Sequence, residues 1–385
     1  MTKFSVTTKI FFGKEASNEV KQYLSSLGMK NIAFIIDSSI KDLKASSQVI
    51  SDYKKHGFLI DSEQIFTASC EPSYDDLDVF TEKFRSYNLD GIIAIGGGSI
   101  MDIAKGVGIL LKNPGKGINY RGMDKVENPG VKVICYPTTA GTGSEVTHTA
   151  SFIDKSSMTK LGINGRYVAP ICGVLVPELT FTCPDKATVS SGLDAMLHAI
   201  EAVSAKTANA ITSLLGREAF SMLFSNFREA IKNPHNYEAR EAMLLGSYYA
   251  GMAMMNAGGG PASAAAYPLG VHFKVPHGIA GGIFLPHVFE FNIKNGYKGY
   301  AEAYNCLPEA VLSLSEQEKS KDFVMKFKSL YADIKAPHTL LDYGVKKSDI
   351  NNLVTLTMTQ RLENVKLNPV LLGENEIFEL FKKVI

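Results

Sequence analysis

Gly91-Ile92-Ile93-Ala94-Ile95-Gly96-Gly97-Gly98-Ser99-Ile100-Met101-Asp102-Ile103-Ala104-Lys105 decides the fold. An apolar run of strand length meets three consecutive glycines and passes straight into a helical pattern. Glycine lets a backbone approach an anion closely, and the helix that follows offers unpaired N–H groups and the positive end of its dipole. In physical terms this is a pyrophosphate cradle or, at its plainest, a tight strand-to-helix turn. It departs from the Gly-x-Gly-x-x-Gly fingerprint, because Met101 stands at the third glycine position.

Outward from this stretch, strand and helix patterns alternate. Asn31 to Asp37 and Val131 to Tyr136 read as further buried strands, and Ala16 to Leu27 and Ser73 to Tyr87 as amphipathic helices. Such alternation implies a parallel sheet covered on both faces. After Pro177-Glu178-Leu179-Thr180 the β-branched runs become few, and long helical patterns take over at Ala187 to Lys206 and Ala208 to Ile231. The expected fold is an α/β domain with a parallel sheet over residues 1–180, followed by an all-helical domain over residues 181–385.

The 385 residues, 45% of them hydrophobic, are enough to fill two cores. A formal charge of +1 without a long basic run points away from nucleic acid and anionic membranes. No apolar stretch is long enough for a membrane span, and the N-terminus lacks the apolar centre of a secretion signal. Five scattered cysteines (Cys70, Cys135, Cys172, Cys183 and Cys306) without a Cys-x-x-Cys pair suit free thiols in a reducing cytoplasm.

Two further segments carry chemistry. Pro137-Thr138-Thr139-Ala140-Gly141-Thr142-Gly143-Ser144-Glu145-Val146-Thr147 is rich in hydroxyls and follows a strand, as an uncharged cradle for phosphate, ribose or amide would, or as an ordinary polar connection. In Gly192-Leu193-Asp194-Ala195-Met196-Leu197-His198-Ala199-Ile200-Glu201, a carboxylate and an imidazole four residues apart share one helix face, where they could hold one metal ion.

With these residues the chain resembles the iron-containing, or group III, alcohol dehydrogenase family. The motifs are Gly-Gly-Gly-Ser-x-x-Asp at 96–102, the hydroxyl-rich run at 137–147, Gly-Leu-Asp-Ala-x-x-His-Ala-Ile-Glu at 192–201 and Pro-His-Gly at 276–278. They occur in the family's order and span most of the chain; their joint occurrence is specific, although no single motif is. The resemblance implies a Rossmann-like N-terminal nucleotide domain followed by a helical domain, the dehydroquinate synthase-like, group III architecture. It also implies one divalent metal, zinc or iron, that polarises an alcohol oxygen so that hydride passes to a nicotinamide. Carried over by position, Gly97, Gly98 and Ser99 hold the pyrophosphate. Asp102, Thr138, Thr139 and Thr142 surround the nicotinamide half, with Thr149 and Lys160 nearby. Asp37 meets the adenosine ribose, which favours NAD and leaves NADP as the alternative. A homodimer is expected.

The chain departs from the family at the metal. Asp194, His198 and His277 match three of four family ligands, but Ser263 stands where the remaining histidine belongs. Tyr267 replaces a further histidine associated with proton transfer. Three protein ligands still make a catalytic zinc site with an open position. His272 offers a substitute ligand, a substrate-facing group or a plain packing residue; His148 carries similar ambiguity, and His287 is expected to play a structural role. Tyr267 is either a proton relay or a packed ring.

The run from Ala266 to Gly278 resembles a divergent branch acting on functionalised substrates, among them the enzyme oxidising the 8-hydroxyl of 3-deoxy-octulosonate (Kdo) for amino-sugar synthesis and phosphonoacetaldehyde reductases. The expected activity is hydride transfer between NAD(P) and a primary alcohol or aldehyde. Its substrate is an anionic sugar acid, a small diol or simple alcohol, or a phosphonate aldehyde, with Lys160, Arg166 and Lys274 as candidate cations. A nucleotide-binding module without catalysis and a metal-free reductase are the rival readings.

Overall fold

The computed structural model describes residues 3–67 and 71–385; Cys70, counted above among the thiols, lies outside them. Two compact units emerge. One comprises Val6–Thr139 and Gly143–Cys183; the other comprises Pro184–Ile385 with Ala140–Thr142 and the segment ending at Ser5.

The first unit is built on strands β1 (Lys9–Phe12), β2 (Asn31–Asp37), β3 (Leu59–Phe66), β4 (Gly91–Gly96), β5 (Lys132–Pro137) and β6 (Cys172–Leu175). They form one parallel sheet in the order β1-β6-β5-β4-β2-β3. The strands alternate between two buried faces. Ala33, Ile35, Ile92, Ala94, Val133 and Cys135 meet α3 (Tyr74–Thr81) and α4 (Gly98–Leu110). Ile32, Phe34, Ile36, Ile93, Ile95, Ile134 and Tyr136 meet α1 (Ala16–Ser26) and α2 (Lys44–Lys55). Burial on both sides is why these strands read as continuous apolar runs.

The helix expected over Ser73 to Tyr87 is shorter. It ends at Thr81, whose hydroxyl donates back to the Leu77 carbonyl at 2.8 Å, and the chain tightens into a 3-10 turn over Glu82–Phe84. A hydroxyl that bonds the preceding turn competes with regular helix geometry.

The sheet order reverses between β2 and β4. From β2 the chain passes to β3 on one side, then returns to β4 on the other, with Ile36 paired to Ile95. In open α/β sheets the crevice outside the carboxyl ends of strands at such a reversal is where ligands bind.

The second unit is helical: α5 (Asp185–Ser204), α6 (Ala210–Lys232), α7 (Tyr237–Ala257), α8 (Pro261–Phe273), α9 (His277–Lys294), α10 (Tyr300–Tyr304), α11 (Glu316–Asp333), α12 (Ile350–Gln360), α13 (Leu362–Lys366) and α14 (Glu374–Val384). Helix α5 is buried almost all round from Gly192 to Val203 and packs against α6, α7 and α9, which makes it the central element of this core. None of the described helices is long and apolar enough to cross a membrane.

Candidate active site

In the first unit, Asp37, Gly97 and Thr138 stand at or just past the carboxyl ends of the adjacent strands β2, β4 and β5. Asp37 closes β2, and its Oδ1 accepts from the Ser39 amide at 2.9 Å and the Ser39 hydroxyl at 2.8 Å. Gly97 is the N-cap of α4 and has no side chain to cap it, and the amides of Gly98 and Ser99 open the helix, where N–H groups have no partner within the helix. Thr138 and Thr139 follow the end of β5, where Pro137 is in register with Gly96. Gly96 has no room for a methyl group, because a Cβ there would stand 2.5 Å from the Ile100 side chain.

Asp102 has a structural partner set. Its Oδ1 accepts from the Ser144 hydroxyl at 2.6 Å and its Oδ2 from the Ser151 amide at 2.9 Å. Lys105, one helical turn on, is enclosed and donates to Ser144 Oγ at 2.7 Å, the Thr149 carbonyl at 2.9 Å and the Thr147 carbonyl at 3.1 Å. Burial pushes the Asp102 carboxyl up and the Lys105 ammonium down, and their mutual attraction opposes both shifts. Together they fasten the hydroxyl-rich loop to α4. Burial also lifts the Glu145 carboxyl in that loop to about 7, against its own backbone hydrogen bond and the Lys105 charge. Lys105 and Glu145 escape notice in the sequence, since a lysine within a helical pattern ordinarily reads as solvated. Lys160 pairs with Glu71 at 2.5 Å, and Arg166 lies over the Tyr167 ring at 4.5 Å. Thr149 opens a short strand, Thr149–Ala150.

In the second unit, Asp194 and His198 project from buried α5, with Asp194 Oδ1 and His198 Nε2 3.6 Å apart. His277 begins α9, its ring centroid 6.3 Å from that of His198. Gly278 allows this approach: a Cβ there would lie 2.0 Å from the Ser190 carbonyl oxygen and 2.8 Å from the Asp194 amide. Among the described residues, one ligand atom from each of Asp194, His198 and His277 lies within 4.8 Å of the others. Asp194 Oδ1 and His198 Nδ1 are buried without a hydrogen-bond partner. Buried polar atoms left unpaired are costly, so this donor set fits a divalent cation that completes it.

Ser263, at the position of the expected fourth ligand, is turned elsewhere. Its hydroxyl donates to Glu201 Oε2 at 2.5 Å. Glu201 also accepts from the amides of Gly260 at 2.7 Å, Ala262 at 2.9 Å and Ser263 at 3.1 Å, which caps the start of α8 with a carboxylate on α5. Burial pushes the Glu201 carboxyl up, while the Ser263 hydroxyl and the Gly260 and Ser263 amides pull it down. The sequence shows Glu201 one turn beyond His198, but nothing local pairs it with Ser263.

The Tyr267 ring lies 4.9 Å, centroid to centroid, from His277. Arg361, which the sequence reading passes over, places its guanidinium carbon 3.5 Å from the Tyr267 centroid. His272 is exposed in the last turn of α8 and stands outside the three-ligand group. Lys274 is an exposed left-handed residue after α8, and His287 lies beside Glu290 within α9.

Residues 7–177 match the iron-containing alcohol dehydrogenase family, and residues 188–385 match the Fe-containing alcohol dehydrogenase family, C-terminal. The NAD-dependent methanol dehydrogenase of Bacillus methanolicus is 30% identical over 353 residues, covering 92% of each chain. The sulfoacetaldehyde reductase of Bilophila wadsworthia is 32% identical over 340 residues, covering 88% of this chain and 86% of the relative. A crystal structure of 1,3-propanediol oxidoreductase is similar over the whole of both chains, with a TM-score of 0.93 at 29% identity. A parallel-sheet α/β unit followed by a helical unit, matched along nearly its whole length, makes this chain a member of the iron-containing, or group III, alcohol dehydrogenase family.

Proposed function

We propose that this chain transfers hydride between NAD(H) and a primary alcohol or its aldehyde, with one divalent cation held by Asp194, His198 and His277. The observation that carries this reading is the buried carboxylate–imidazole group, whose Asp194 Oδ1 and His198 Nδ1 have no hydrogen-bond partner. A cation bound there supplies Lewis acidity to the alcohol oxygen. Three protein ligands suit zinc, with iron as the family's alternative.

The remaining work falls to side chains and backbone. The amides at Gly97, Gly98 and Ser99 receive the pyrophosphate at the start of α4. Asp37 accepts from the ribose hydroxyls and repels a 2′-phosphate, so NAD is preferred over NADP. Thr138, Thr139, Thr142 and Thr149 offer uncharged polar groups to the nicotinamide half, with Asp102 and Lys160 organising the segments around them. Tyr267, beside His277, is the residue we assign to proton transfer at the substrate oxygen. His272 is assigned a peripheral place at the substrate side.

Relatives named for methanol and for sulfoacetaldehyde favour a short substrate. The 8-hydroxyl of Kdo and phosphonoacetaldehyde are larger or differently charged forms of the same reaction. The protein is taken to work as a cytoplasmic homodimer, which light scattering of the purified chain checks.

The test combines metal analysis with a substrate panel. The purified protein should hold close to one zinc or iron per chain and oxidise NADH with short aldehydes. Less than about a tenth of a metal per chain after zinc loading, with NAD still bound, would favour a non-catalytic nucleotide-binding module. Full turnover after Asp194→Ala and His198→Ala would favour metal-free reduction.

A further inference from the structure

Lys160, Arg166 and Lys274 are the cations that the sequence offers for an anionic substrate. The first is paired with Glu71 at 2.5 Å, the second lies over the Tyr167 ring, and the third is exposed after α8. A different cation is linked to the metal-ligand group through one aromatic ring. Arg361 sits at the break between α12 and α13, where φ is −133° and ψ is 20°. Its guanidinium carbon lies 3.5 Å from the centroid of Tyr267, whose ring is 4.9 Å from that of His277. Guanidinium, phenol and imidazole thus form one continuous chain of contacts that ends on a proposed metal ligand.

The chemistry of that contact is specific. Stacking on an aromatic face engages the flat side of a guanidinium and attracts its charge to the ring quadrupole. The N–H donors of arginine lie in its plane, in a fork that matches the two oxygens of an oxyanion. Tyr267 and Arg361 are both partly buried, so an anion met there is less screened than at an open surface. Lysine in this place would lack both the flat face and the fork.

We propose that Arg361 is a specificity residue, and that the substrate is a short aldehyde, or the alcohol it yields, bearing a sulfonate, carboxylate or phosphonate. The assignment rests on the dehydrogenase reading and narrows it to an anionic substrate. A sulfoacetaldehyde reductase among the relatives is consistent with this class. The reaction balances as a reduction: NADH delivers hydride to the carbonyl carbon, the oxygen takes a proton, and the anionic group is unchanged and serves only for recognition.

The experiment measures kcat/KM with NADH for sulfoacetaldehyde, 3-oxopropanoate and phosphonoacetaldehyde against propanal and 3-hydroxypropanal. The wild-type protein, Arg361→Lys and Arg361→Gln are compared, with thermal melts to establish that each is folded. At least one anionic aldehyde should exceed the neutral pair by on the order of 100-fold, mostly through KM. Arg361→Gln should erase most of that ratio and Arg361→Lys should restore part of it. In the presence of NAD, 2-hydroxyethanesulfonate should raise the melting temperature of the wild type and not that of Arg361→Gln. Equal kcat/KM for anionic and neutral aldehydes, or an unchanged ratio in a folded Arg361→Gln protein, overturns the assignment and leaves the dehydrogenase reading standing. No turnover of any aldehyde by the metal-loaded wild type overturns both.

Discussion

The Ser263 hydroxyl donates to Glu201 across 2.5 Å, and that bond ties the start of α8 to the helix that carries Asp194 and His198. The serine is therefore a partner of the helix cap. Ser263→His should add an imidazole near the three existing ligands and tighten zinc binding by about tenfold or more, about 1.4 kcal/mol. Competition with a chelator measures this directly. Affinity unchanged in a folded variant would mean that the position does not face the cation.

Removing the other half of the bond has a different signature. Glu201→Ala strands the amides of Gly260, Ala262 and Ser263 and the Ser263 hydroxyl, all buried. The expected loss is on the order of 3–5 kcal/mol, read as a lower midpoint in denaturant with a similar slope. A midpoint close to that of the wild type would show that water reaches these groups.

Gly278 has no room for a side chain. A methyl group would meet the Ser190 carbonyl at 2.0 Å. Gly278→Ala should push the start of α9 away from α5 and separate His277 from the other two ligands. The checks are metal content after dialysis, expected to fall well below that of the wild type, and a melting temperature lowered by several degrees. A variant that keeps its metal would relocate the third ligand.

Much of the first unit was legible in the sequence, because its strands are buried on both faces and advertise themselves as uninterrupted apolar runs from Asn31, Gly91 and Val131. The metal group was legible for a local reason in part: Asp194 and His198 share a helix face. His277 came only with the resemblance, since Asp194 and His198, the ligands it joins, are 83 and 79 residues away in sequence. The Glu201–Ser263 bond and the Arg361–Tyr267 stack join positions on different helices. No periodicity encodes such pairs, and they required the fold.

Asp37 at the end of β2 should govern the choice of nucleotide. Asp37→Ala should lower the ratio of kcat/KM for NAD to that for NADP by about tenfold or more, because the carboxylate both accepts from a free ribose hydroxyl and repels a phosphate. Steady-state kinetics with the two nucleotides decide it. An unchanged ratio would place the adenosine ribose elsewhere.

Glu145 should make stability fall as pH rises. Its folded pKa is lifted from 4.5 to about 7, mainly by burial, so between these values the folded chain binds more protons than the unfolded one. The contribution is intact below about pH 4.5 and is lost as pH passes through about 7, to a limit of about 3 kcal/mol. The Lys105 charge moderates the loss by favouring the ionised form. Melting temperatures from pH 5.5 to 8 should decline more steeply for the wild type than for Glu145→Gln. Parallel curves would assign the slope to other groups.

The enclosed ammonium of Lys105 also makes the chain its own reporter. Acetic anhydride reaches surface lysines at once, but no solvent touches Lys105 while Ser144, Thr147 and Thr149 surround it. Its slow acylation, followed by peptide mass spectrometry, would time the opening of the hydroxyl-rich loop. Slower labelling with NAD present would register nucleotide occupancy without any turnover.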